Sequence, residues 1–351
     1  MKKKISLFIA IVLVINLSLA GCKKNPQDVV EAEVLLDEAQ SKIDYTSIEG
    51  VNIPPKSHIS FVGMDSKKPY WQAVEVGAQK AVDDLNESLQ YEGEDKIKLV
   101  FESPSSGMEV EEQINMIDGI LSENPTLLCM AAIDFNSFQA QFETAKENKI
   151  PVIAVDSGVS NGLEAAFCAT DNFEAGKEAA RQISQMLEGK GNIAILSHNP
   201  ETQTSKDRIE GFTEEIKEHH PGLGIVEIAY ENKDELLDVT ASKVLEEHPE
   251  VDAYFGTNED TILSILQACK DEKRDDIVTV GFDAGEKQVR AIKDGSLSGA
   301  VSQNPYGMGY VSIVAGARAI ANMPNDKRVD TGFTWISKEN IESEEIEKYL
   351  Y

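Results

Sequence analysis

Polar side chains with directional hydrogen-bonding groups follow several short apolar runs in the sequence. Asp156 comes directly after the run Val152–Val155, and Asp283 follows Val278–Phe282 in the same way. Each such residue by itself is explained equally well as a cap on a turn or a helix. Together they form a set of carboxylate, guanidinium and amide groups, which bind hydroxyls through directional hydrogen bonds. The predicted polar contacts are Asp156, Arg208, Asn258, Asp283 and Gln303.

Two adjacent aromatic residues, Tyr70 and Trp71, open a predicted helix directly after Pro69. Aromatic pairs at a helix start usually pack into the core, but the polar loop in front of this pair favours a stacking platform. An aromatic ring covers the apolar face of a sugar while polar groups bind its hydroxyls. Lys68, in the same loop, lies either in the ligand site or on its exposed rim.

Regular alternation of apolar runs and amphipathic segments begins after Lys56. This alternation predicts parallel, doubly wound α/β sheets, and ten strands are more than one such sheet usually contains. Two sheets are therefore expected, with ligand contacts beyond the carboxyl ends of the strands. The predicted strands are 60–64, 98–102, 126–132, 152–156, 165–169, 192–197, 224–229, 253–257, 278–282 and 299–302, and the predicted helices are 70–87, 109–122, 138–148, 172–187, 204–219, 235–247, 259–271, 286–294 and 307–322.

The sequence lacks a recognisable catalytic motif. The neighbouring residues His219 and His220 lie beside Pro221 without metal-ligand spacing to acids or cysteines. No nucleophile elbow, phosphate loop or calcium loop is present in the sequence. A glycosidase carboxylate pair is the open alternative, because acids are plentiful. We therefore expect a binding protein with no catalytic residues, no metal and no cofactor.

Composition restricts the class of protein and its partners. The net charge of -28 opposes nucleic-acid binding, which needs a basic surface. A length of 351 residues with 41% hydrophobic residues predicts two domains with apolar cores. Cys129, Cys168 and Cys269 lie in apolar surroundings and are expected to be buried free thiols, with a single disulfide as the alternative.

The first 22 residues have the pattern of a secretion signal, with Lys2, Lys3 and Lys4 before an apolar run that ends in Leu19-Ala20-Gly21-Cys22. The run is short for a membrane-spanning helix, which needs about 20 apolar residues. Its end resembles the bacterial lipoprotein signal, which implies that Cys22 is acylated and becomes the mature N-terminus. An uncleaved anchor helix is the alternative. Residues 23–55 are expected to form a surface stalk or, alternatively, an interaction helix.

Five motifs occur in a specific order. They are Lys68-Pro69-Tyr70-Trp71; Ile150-Pro151-Val152-Ile153-Ala154-Val155-Asp156; Ala169-Thr170-Asp171-Asn172 followed by Ala175-Gly176; Arg208-Ile209-Glu210-Gly211-Phe212; and Val280-Gly281-Phe282-Asp283. With these motifs, the region from about Ser57 to Ile336 resembles the periplasmic sugar-binding proteins of the ribose and galactose type. Those proteins are the extracytoplasmic receptors of ABC importers. The order and spacing, rather than any one motif, make the resemblance specific.

The resemblance implies a two-lobed periplasmic-binding-protein fold, with a doubly wound parallel sheet in each lobe and three crossings between the lobes. Tyr70 and Trp71 would stack on the ligand, and the polar residues named above would bind it. Asp171, near the first crossing, would serve the hinge or the cleft. The implied boundaries are 1–22 for the signal peptide, 23–55 for the stalk, 56–170 with 304–331 for the N-terminal lobe, and 171–303 with 332–351 for the C-terminal lobe.

The sequence departs from the ribose-type pattern at four places. Ser157 follows Asp156 where ribose-type proteins have an arginine, and Lys68 stands where they have an asparagine. Residues 131–134 lack the asparagine that follows the third strand, and Asn232 stands near the position of an aromatic that covers the second sugar face. These departures leave the identity of the sugar open. Lys68 would also permit an acidic or phosphorylated ligand.

The resemblance implies a monomeric receptor that closes around a monosaccharide by a hinge motion and delivers it to an ABC permease. A receptor for a signalling molecule or nucleoside that feeds a sensor kinase or chemotaxis system is the alternative. Sugar-responsive repressors share the same body but begin with a basic helix-turn-helix, whereas this chain begins with a secretion signal. With Cys22 acylated, the protein would be a lipid-anchored Gram-positive-type surface lipoprotein rather than a free periplasmic protein.

Overall fold

The computed structural model describes residues 43–351, which form two six-stranded sheets with interleaved helices. The strands are β1 His58–Val62, β2 Lys98–Glu102, β3 Leu127–Met130, β4 Val152–Val155, β5 Ala166–Ala169, β6 Gly191–Ser197, β7 Leu223–Tyr230, β8 Ala253–Gly256, β9 Val278–Phe282, β10 Gly299–Gln303, β11 Arg328–Asp330 and β12 Phe333–Ile336. The α-helices are α1 Pro69–Ser88, α2 Val110–Ser122, α3 Gln139–Glu147, α4 Asn172–Met186, α5 Gln203–His219, α6 Leu237–Glu247, α7 Glu259–Asp271, α8 Glu286–Asp294 and α9 Pro305–Ile320.

The two sheets have equivalent topologies. The first has the order β11-β5-β4-β3-β1-β2 and is parallel throughout. The second has the order β12-β10-β9-β8-β6-β7 and is parallel except for β12, which runs antiparallel to β10. The chain passes between the sheets after β5, after β10 and between β11 and β12. The predicted two-lobed fold with three crossings is confirmed, and the bodies around the two sheets are called the first and the second lobe.

The edge strands β11 and β12 are absent from the sequence prediction. Each has only three or four residues, and in β11 only Val329 is buried. Strands this short show no clear alternation of apolar and polar residues. Strand β11 pairs with β5 and strand β12 pairs with β10, and neither partner is its neighbour in the sequence. Both strands are therefore fixed by tertiary contacts rather than by a local pattern.

Polar residues at the strand ends also begin the helices that follow. The Oδ1 atom of Asn258 accepts a hydrogen bond from the Thr261 backbone N–H at 2.9 Å, and the Thr261 hydroxyl accepts one from the Asn258 N–H at 3.0 Å. Thr202 and Asn304 cap α5 and α9 through their side chains. The capping explanation is therefore correct for Asn258. Capping occupies only its carbonyl oxygen, so its side-chain amide group stays available as a donor.

Two helices of the first lobe, α1 and α9, contact each other through their backbones at glycines. A Cβ atom on Gly77 would lie 1.9 Å from the carbonyl oxygen of Tyr306, and one on Gly309 would lie 2.0 Å from that of Val74. No larger residue fits at either position without separating the helices. The contact fixes the start of α1, which carries Tyr70.

The second lobe repeats this arrangement between α4 and α5. A Cβ atom on Gly176 would lie 2.2 Å from the carbonyl oxygen of Arg208, and one on Gly211 would lie 2.0 Å from that of Phe173. The backbone of Arg208 is thus part of the helix contact itself, so the position of its side chain depends on both glycines.

The segment from Asp44 to Pro55 packs against the first lobe, so the expectation of a stalk is wrong for this part. Tyr45, Val51 and Ile53 are buried, and the Tyr45 hydroxyl accepts a hydrogen bond from the backbone N–H of Asp326 at 2.7 Å. Three scattered apolar residues give no periodic signal, which is why the sequence pattern misses them. The signal peptide, Cys22 and the rest of the predicted stalk lie outside the described residues. From residue 43 onward, no helix has the length and apolarity needed to span a membrane.

The three cysteines in the described part of the chain are buried and unpaired, as predicted. Burial raises the pKa of Cys168 to about 12 and the pKa of Cys269 to about 11. Both thiols therefore stay protonated and unreactive at neutral pH.

We predict that Gly211→Ala destabilises the protein, because its new methyl group would overlap the carbonyl oxygen of Phe173. Overpacking of this kind costs about 1–3 kcal/mol or more. The measurement is the free energy of unfolding in urea. Gly119→Ala is the matched control, since Gly119 lies in α2 with no atom within 4 Å of the added Cβ. The control should be neutral or stabilising by up to about 1 kcal/mol, and equal effects of the two substitutions would contradict the prediction.

Candidate functional site

The carboxyl ends of both sheets border one cleft of about 360 Å³ between the lobes. Residues from both lobes form its walls, and eight of the ten residues selected from the sequence are among them. These eight are Lys68, Tyr70, Trp71, Asp156, Arg208, Asn258, Asp283 and Gln303.

Arg208, on the first turns of α5, contributes a buried positive charge to this cleft. Only 3% of its surface is exposed. Its Nε donates to the Asn172 side-chain oxygen at 2.8 Å, and its Nη1 donates to the backbone oxygen of Thr257 at 2.7 Å. The guanidinium also stacks on the ring of Phe282, 3.6 Å from the ring centroid. Neutral groups thus orient the guanidinium, and its Nη2 atom has no hydrogen-bond partner in residues 43–351.

Two carboxylates approach this charge from opposite lobes, Asp156 after β4 and Asp283 after β9. Both are buried, and both have a left-handed backbone, with φ of 58° and 80° respectively. Residues other than glycine rarely adopt this conformation, and where they do it is often at functional sites. Because β4 and β9 occupy equivalent positions in their sheets, the same strained turn presents one carboxylate from each lobe.

Hydrogen bonds hold each carboxylate in place. The Tyr70 hydroxyl donates to Asp156 at 2.8 Å, while Asp283 accepts from the Gln303 amide at 2.8 Å and from the Glu259 backbone N–H at 3.3 Å. Burial raises the pKa of Asp156 to about 6, against the opposing effect of Arg208. Burial also raises the pKa of Asp283, again opposed mainly by Arg208. Ionisation of both groups is therefore costly until another group replaces the lost water.

The aromatic pair at the start of α1 has two separate roles. The rings of Tyr70 and Trp71 meet edge to face with centroids 5.2 Å apart. Tyr70 is fully engaged by Asp156 and by an edge contact with the ring of Tyr351, 5.7 Å between centroids. The indole N–H of Trp71 forms no hydrogen bond with any described residue, so this ring is the one available to cover a ligand face.

The lobes contact each other directly along the rim of the cleft. Lys68 of the first lobe forms an ion pair with Asp260 of the second, at 2.5 Å. The Asn199 side chain donates to the backbone oxygen of Ile133 at 3.2 Å, and the Phe135 N–H donates to the backbone oxygen of Glu201 at 3.0 Å. Lys68 is therefore neutralised by a neighbour and is not a free cation for an anionic ligand.

Two residues that the sequence analysis considered lie outside the cleft. Asp171 caps α4 by accepting a hydrogen bond from the Glu174 N–H at 3.2 Å, which places it at the first crossing. Asn232 is exposed, and its side chain accepts bonds from the N–H groups of Asp234 and Glu235 at 2.9 and 3.0 Å. The preceding residue, Glu231, lines the cleft instead.

Several lining residues were missed by the sequence analysis. His198, Asn199, Thr202 and Thr204 follow β6, and the loop 105–108 follows β2. The strand-end rule that selected Asp156 would have selected these loops if it had been applied to every strand. His198 lies between the hydroxyls of Thr257 and Thr204, at 2.8 and 2.9 Å. Burial lowers its pKa well below the usual range, so it is a neutral contact.

The described residues that line the cleft do not form a metal centre. Among residues 43–351, no group of three or more His, Cys, Asp or Glu side chains is arranged to hold a metal ion. Its walls offer aromatic surface, hydrogen-bond donors and acceptors, and a single buried guanidinium. Such a set binds a small polar ligand.

The fold and the cleft together define a two-lobed small-molecule-binding protein of the α/β class. The chain belongs to the family described as "Periplasmic binding protein domain", which matches residues 59–323. This confirms the resemblance identified from the sequence motifs.

Similar proteins of this family bind small molecules and are not enzymes. The ribose import binding protein of Salmonella typhimurium is 25% identical over 269 residues, covering 77% of this chain and 86% of that protein. The xylitol-binding protein of Mycolicibacterium smegmatis is 24% identical over 258 residues, covering 72% of each. An ABC transporter solute-binding protein from Agrobacterium vitis, solved with bound D-fucose, is 26% identical with a TM-score of 0.77, covering 84% of this chain and 100% of that one.

We predict that Asp156→Asn stabilises the ligand-free protein at pH 7 while weakening ligand binding. In the native protein the carboxyl keeps its proton up to a pKa of about 6, whereas its ordinary value is 3.8. The stability that this proton provides is present below about pH 4 and lost as the pH rises through about 6. Asparagine is neutral at every pH and avoids this loss. The free energy of unfolding of the Asp156→Asn variant at pH 7 should therefore be about 1–3 kcal/mol higher than that of the parent protein.

The measurement is urea unfolding of both proteins between pH 4 and pH 7. The stability advantage of the variant should grow across this interval. Asp83→Asn, at an exposed position of α1, is the control and should stay within about 0.5 kcal/mol of the parent protein. An advantage that is independent of pH would contradict the assignment to Asp156.

Proposed function

We propose that the protein is the extracytoplasmic substrate-binding receptor of an ABC importer, and that it captures a monosaccharide or sugar-like ligand by hinge closure. The observation that carries the proposal is the meeting of polar and aromatic residues from both lobes in one cleft. Its volume of about 360 Å³ lies near the lower end of the range for small-molecule sites. The ribose import and xylitol-binding relatives support a sugar or polyol as the ligand.

The chemistry of the walls supports a hydroxyl-rich ligand. Trp71 offers an indole ring, and Arg208, Asn258 and Asp283 offer donors and acceptors around it. The side-chain oxygen of Gln303 is buried without a partner among residues 43–351, although its amide nitrogen donates to Asp283. An unsatisfied buried acceptor costs about 1–3 kcal/mol, and a ligand hydroxyl would satisfy it.

Closure follows from the distribution of the contacts over two lobes. A ligand that touches both Asp156 and Asp283 stabilises the arrangement in which the lobes are close together. The ion pair between Lys68 and Asp260 and the hydrogen bond from Asn199 to Ile133 add contacts between the lobes in the same arrangement. The chain segments at the three crossings would absorb the rotation.

Anchoring at Cys22 would keep the receptor close to its permease. A tether raises the local concentration of loaded receptor at the membrane without any new contact. This advantage is greatest for a cell without an outer membrane, which supports a surface lipoprotein of the Gram-positive type. The receptor would act as a monomer, with the permease as its protein partner.

The ligand class is tested by a thermal-shift screen against pentoses, hexoses, polyols, nucleosides and sugar acids. A specific ligand at 100 times its dissociation constant should stabilise the protein by about 2.7 kcal/mol. No stabilisation by any class would contradict the receptor function itself.

We predict that Trp71→Ala weakens binding of the ligand found in that screen by about 5- to 150-fold, because loss of a desolvated aromatic anchor costs about 1–3 kcal/mol. Isothermal titration calorimetry provides the affinities. Trp335→Phe is the control, since Trp335 lies on β12 outside the cleft. The control should retain the affinity, and retained affinity in Trp71→Ala would exclude a stacking role for this ring.

We predict that Asp260→Asn weakens ligand binding by up to about fivefold, because a partly exposed ion pair contributes about 0–1 kcal/mol after screening by solvent. The loss should shrink at high ionic strength. Glu286→Gln removes an exposed ion pair with Arg290 on α8 and should leave the affinity unchanged. A loss that is independent of salt would indicate that Asp260 contacts the ligand directly rather than joining the lobes.

A further inference from the structure

The cleft walls contain more acids than bases. Six carboxylates and three basic side chains line it, and His198 is neutral. Lys67 is exposed, and Lys68 is paired with Asp260. Arg208 is thus the only buried cation among the described residues that line the cleft. The lining acids are Asp65, Asp156, Glu231, Glu259, Asp260 and Asp283.

The carboxylate of Glu259 is not paired with a cation or a hydrogen-bond donor within residues 43–351. It begins α7, and its side chain lies so close to Gly285 that a Cβ there would be 2.2 Å from the carboxylate oxygen. No hydrogen bond or ion pair of this side chain is formed with any described residue. Its backbone N–H, however, donates to Asp283 at 3.3 Å, so the two acids belong to one connected group.

The buried oxygen of Gln303 completes this group of acceptors. Gln303 is 2% exposed, its amide nitrogen donates to Asp283 at 2.8 Å, and its oxygen has no partner in the described part of the chain. The second lobe therefore presents Glu259, Asp283 and Gln303 as a chain of acceptors with one unpaired carboxylate. A ligand that matches it must bring donors and positive charge.

We propose that the cleft takes a polyhydroxylated ligand with a protonated amino group, an amino sugar or amino polyol, and that its ammonium lies against Glu259 and the Gln303 oxygen. This inference rests on the proposed function and specifies its ligand class. An ammonium brings three donors and one charge, whereas a hydroxyl brings one donor. A uronate or sugar phosphate would add negative charge beside Asp283 and Glu259 and bind weakly, contrary to the option left open by Lys68.

Binding of an amino ligand is expected to release protons to the buffer, and this release distinguishes it from binding of an uncharged sugar. Burial, with Asp283 and Asp260 nearby, raises the pKa of Glu259 to about 7, while Lys68 and Lys287 oppose the shift. The Tyr351 side chain also faces this carboxyl from the C-terminal segment. A bound ammonium lowers the pKa of Glu259, so binding at pH 6–7 releases protons to the buffer. An uncharged sugar lacks the charge that drives this release.

The test is calorimetric titration of the protein with matched sets of a parent sugar, its amino-deoxy form, its N-acetyl form and its uronate. The glucose, galactose and mannose sets serve as probes, in buffers of different ionisation enthalpy. In at least one set the amino form should bind at least tenfold more tightly than the parent sugar and release protons. The N-acetyl form should lose this advantage, because it is uncharged.

Glu259→Gln should reduce the ratio of amino-sugar to parent-sugar affinity by about tenfold, and Glu286→Gln, an exposed change on α8, should leave the ratio unchanged. Urea unfolding checks that each variant folds, and the ratio in the unmodified protein decides the inference if one does not. Binding of parent sugars without preference for the amino form overturns the inference and leaves the receptor function intact. If no sugar of any set or class binds, the proposed function fails as well.

Discussion

The guanidinium of Arg208 lies in the wall of the cleft with 3% of its surface exposed, and its charge must be balanced there. The groups that hold it, Asn172, Thr257 and Phe282, are uncharged. The balancing charges come from Asp156 and Asp283, one from each lobe, and neither forms an ion pair with the guanidinium. A buried charge without close partners is costly, so the cleft is arranged for a ligand that completes the set. The ligand-free protein is thereby less stable than it would be with the charge paired, and the ligand can supply the missing contacts.

Two features of the backbone make this arrangement rigid. The glycine contact between α4 and α5 includes the carbonyl of Arg208, so the base of its side chain cannot shift without separating two helices. Asp156 and Asp283 each sit in a left-handed turn that directs a carboxylate from the end of a central strand. A strained turn is maintained only when the surrounding structure determines it. Here the N–H of Asp156 donates to the carbonyl of Cys168 on β5, and the N–H of Asp283 donates to that of Val301 on β10. Preorganisation of this kind lowers the ordering cost of binding.

The sequence predicted those parts of the molecule whose signals are local. Strand β9 and helix α7 match their predicted bounds, because an apolar run and an N-cap at Asn258 mark them. Strands β11 and β12 are fixed by pairing with distant segments, which no local pattern contains. Within the site, position after a strand selected Asp156 and Asp283 correctly as cleft residues. Asn232, which the family resemblance placed near the second sugar face, instead turns back on its own loop after β7, and Glu231 lines the cleft.

The three crossings also determine the order in which the protein can fold. Helix α9 and strand β11 belong to the first lobe but follow five of the six strands of the second sheet in the chain. The contact between the α1 backbone and Gly309 can form only after residue 309 has been synthesised. Strand β5 can pair with β11 only after residue 330 has been synthesised. The first lobe therefore cannot finish folding before most of the second lobe has been synthesised. Contacts so distant in sequence slow folding, so the nascent chain stays incompletely folded until almost all of it has been made.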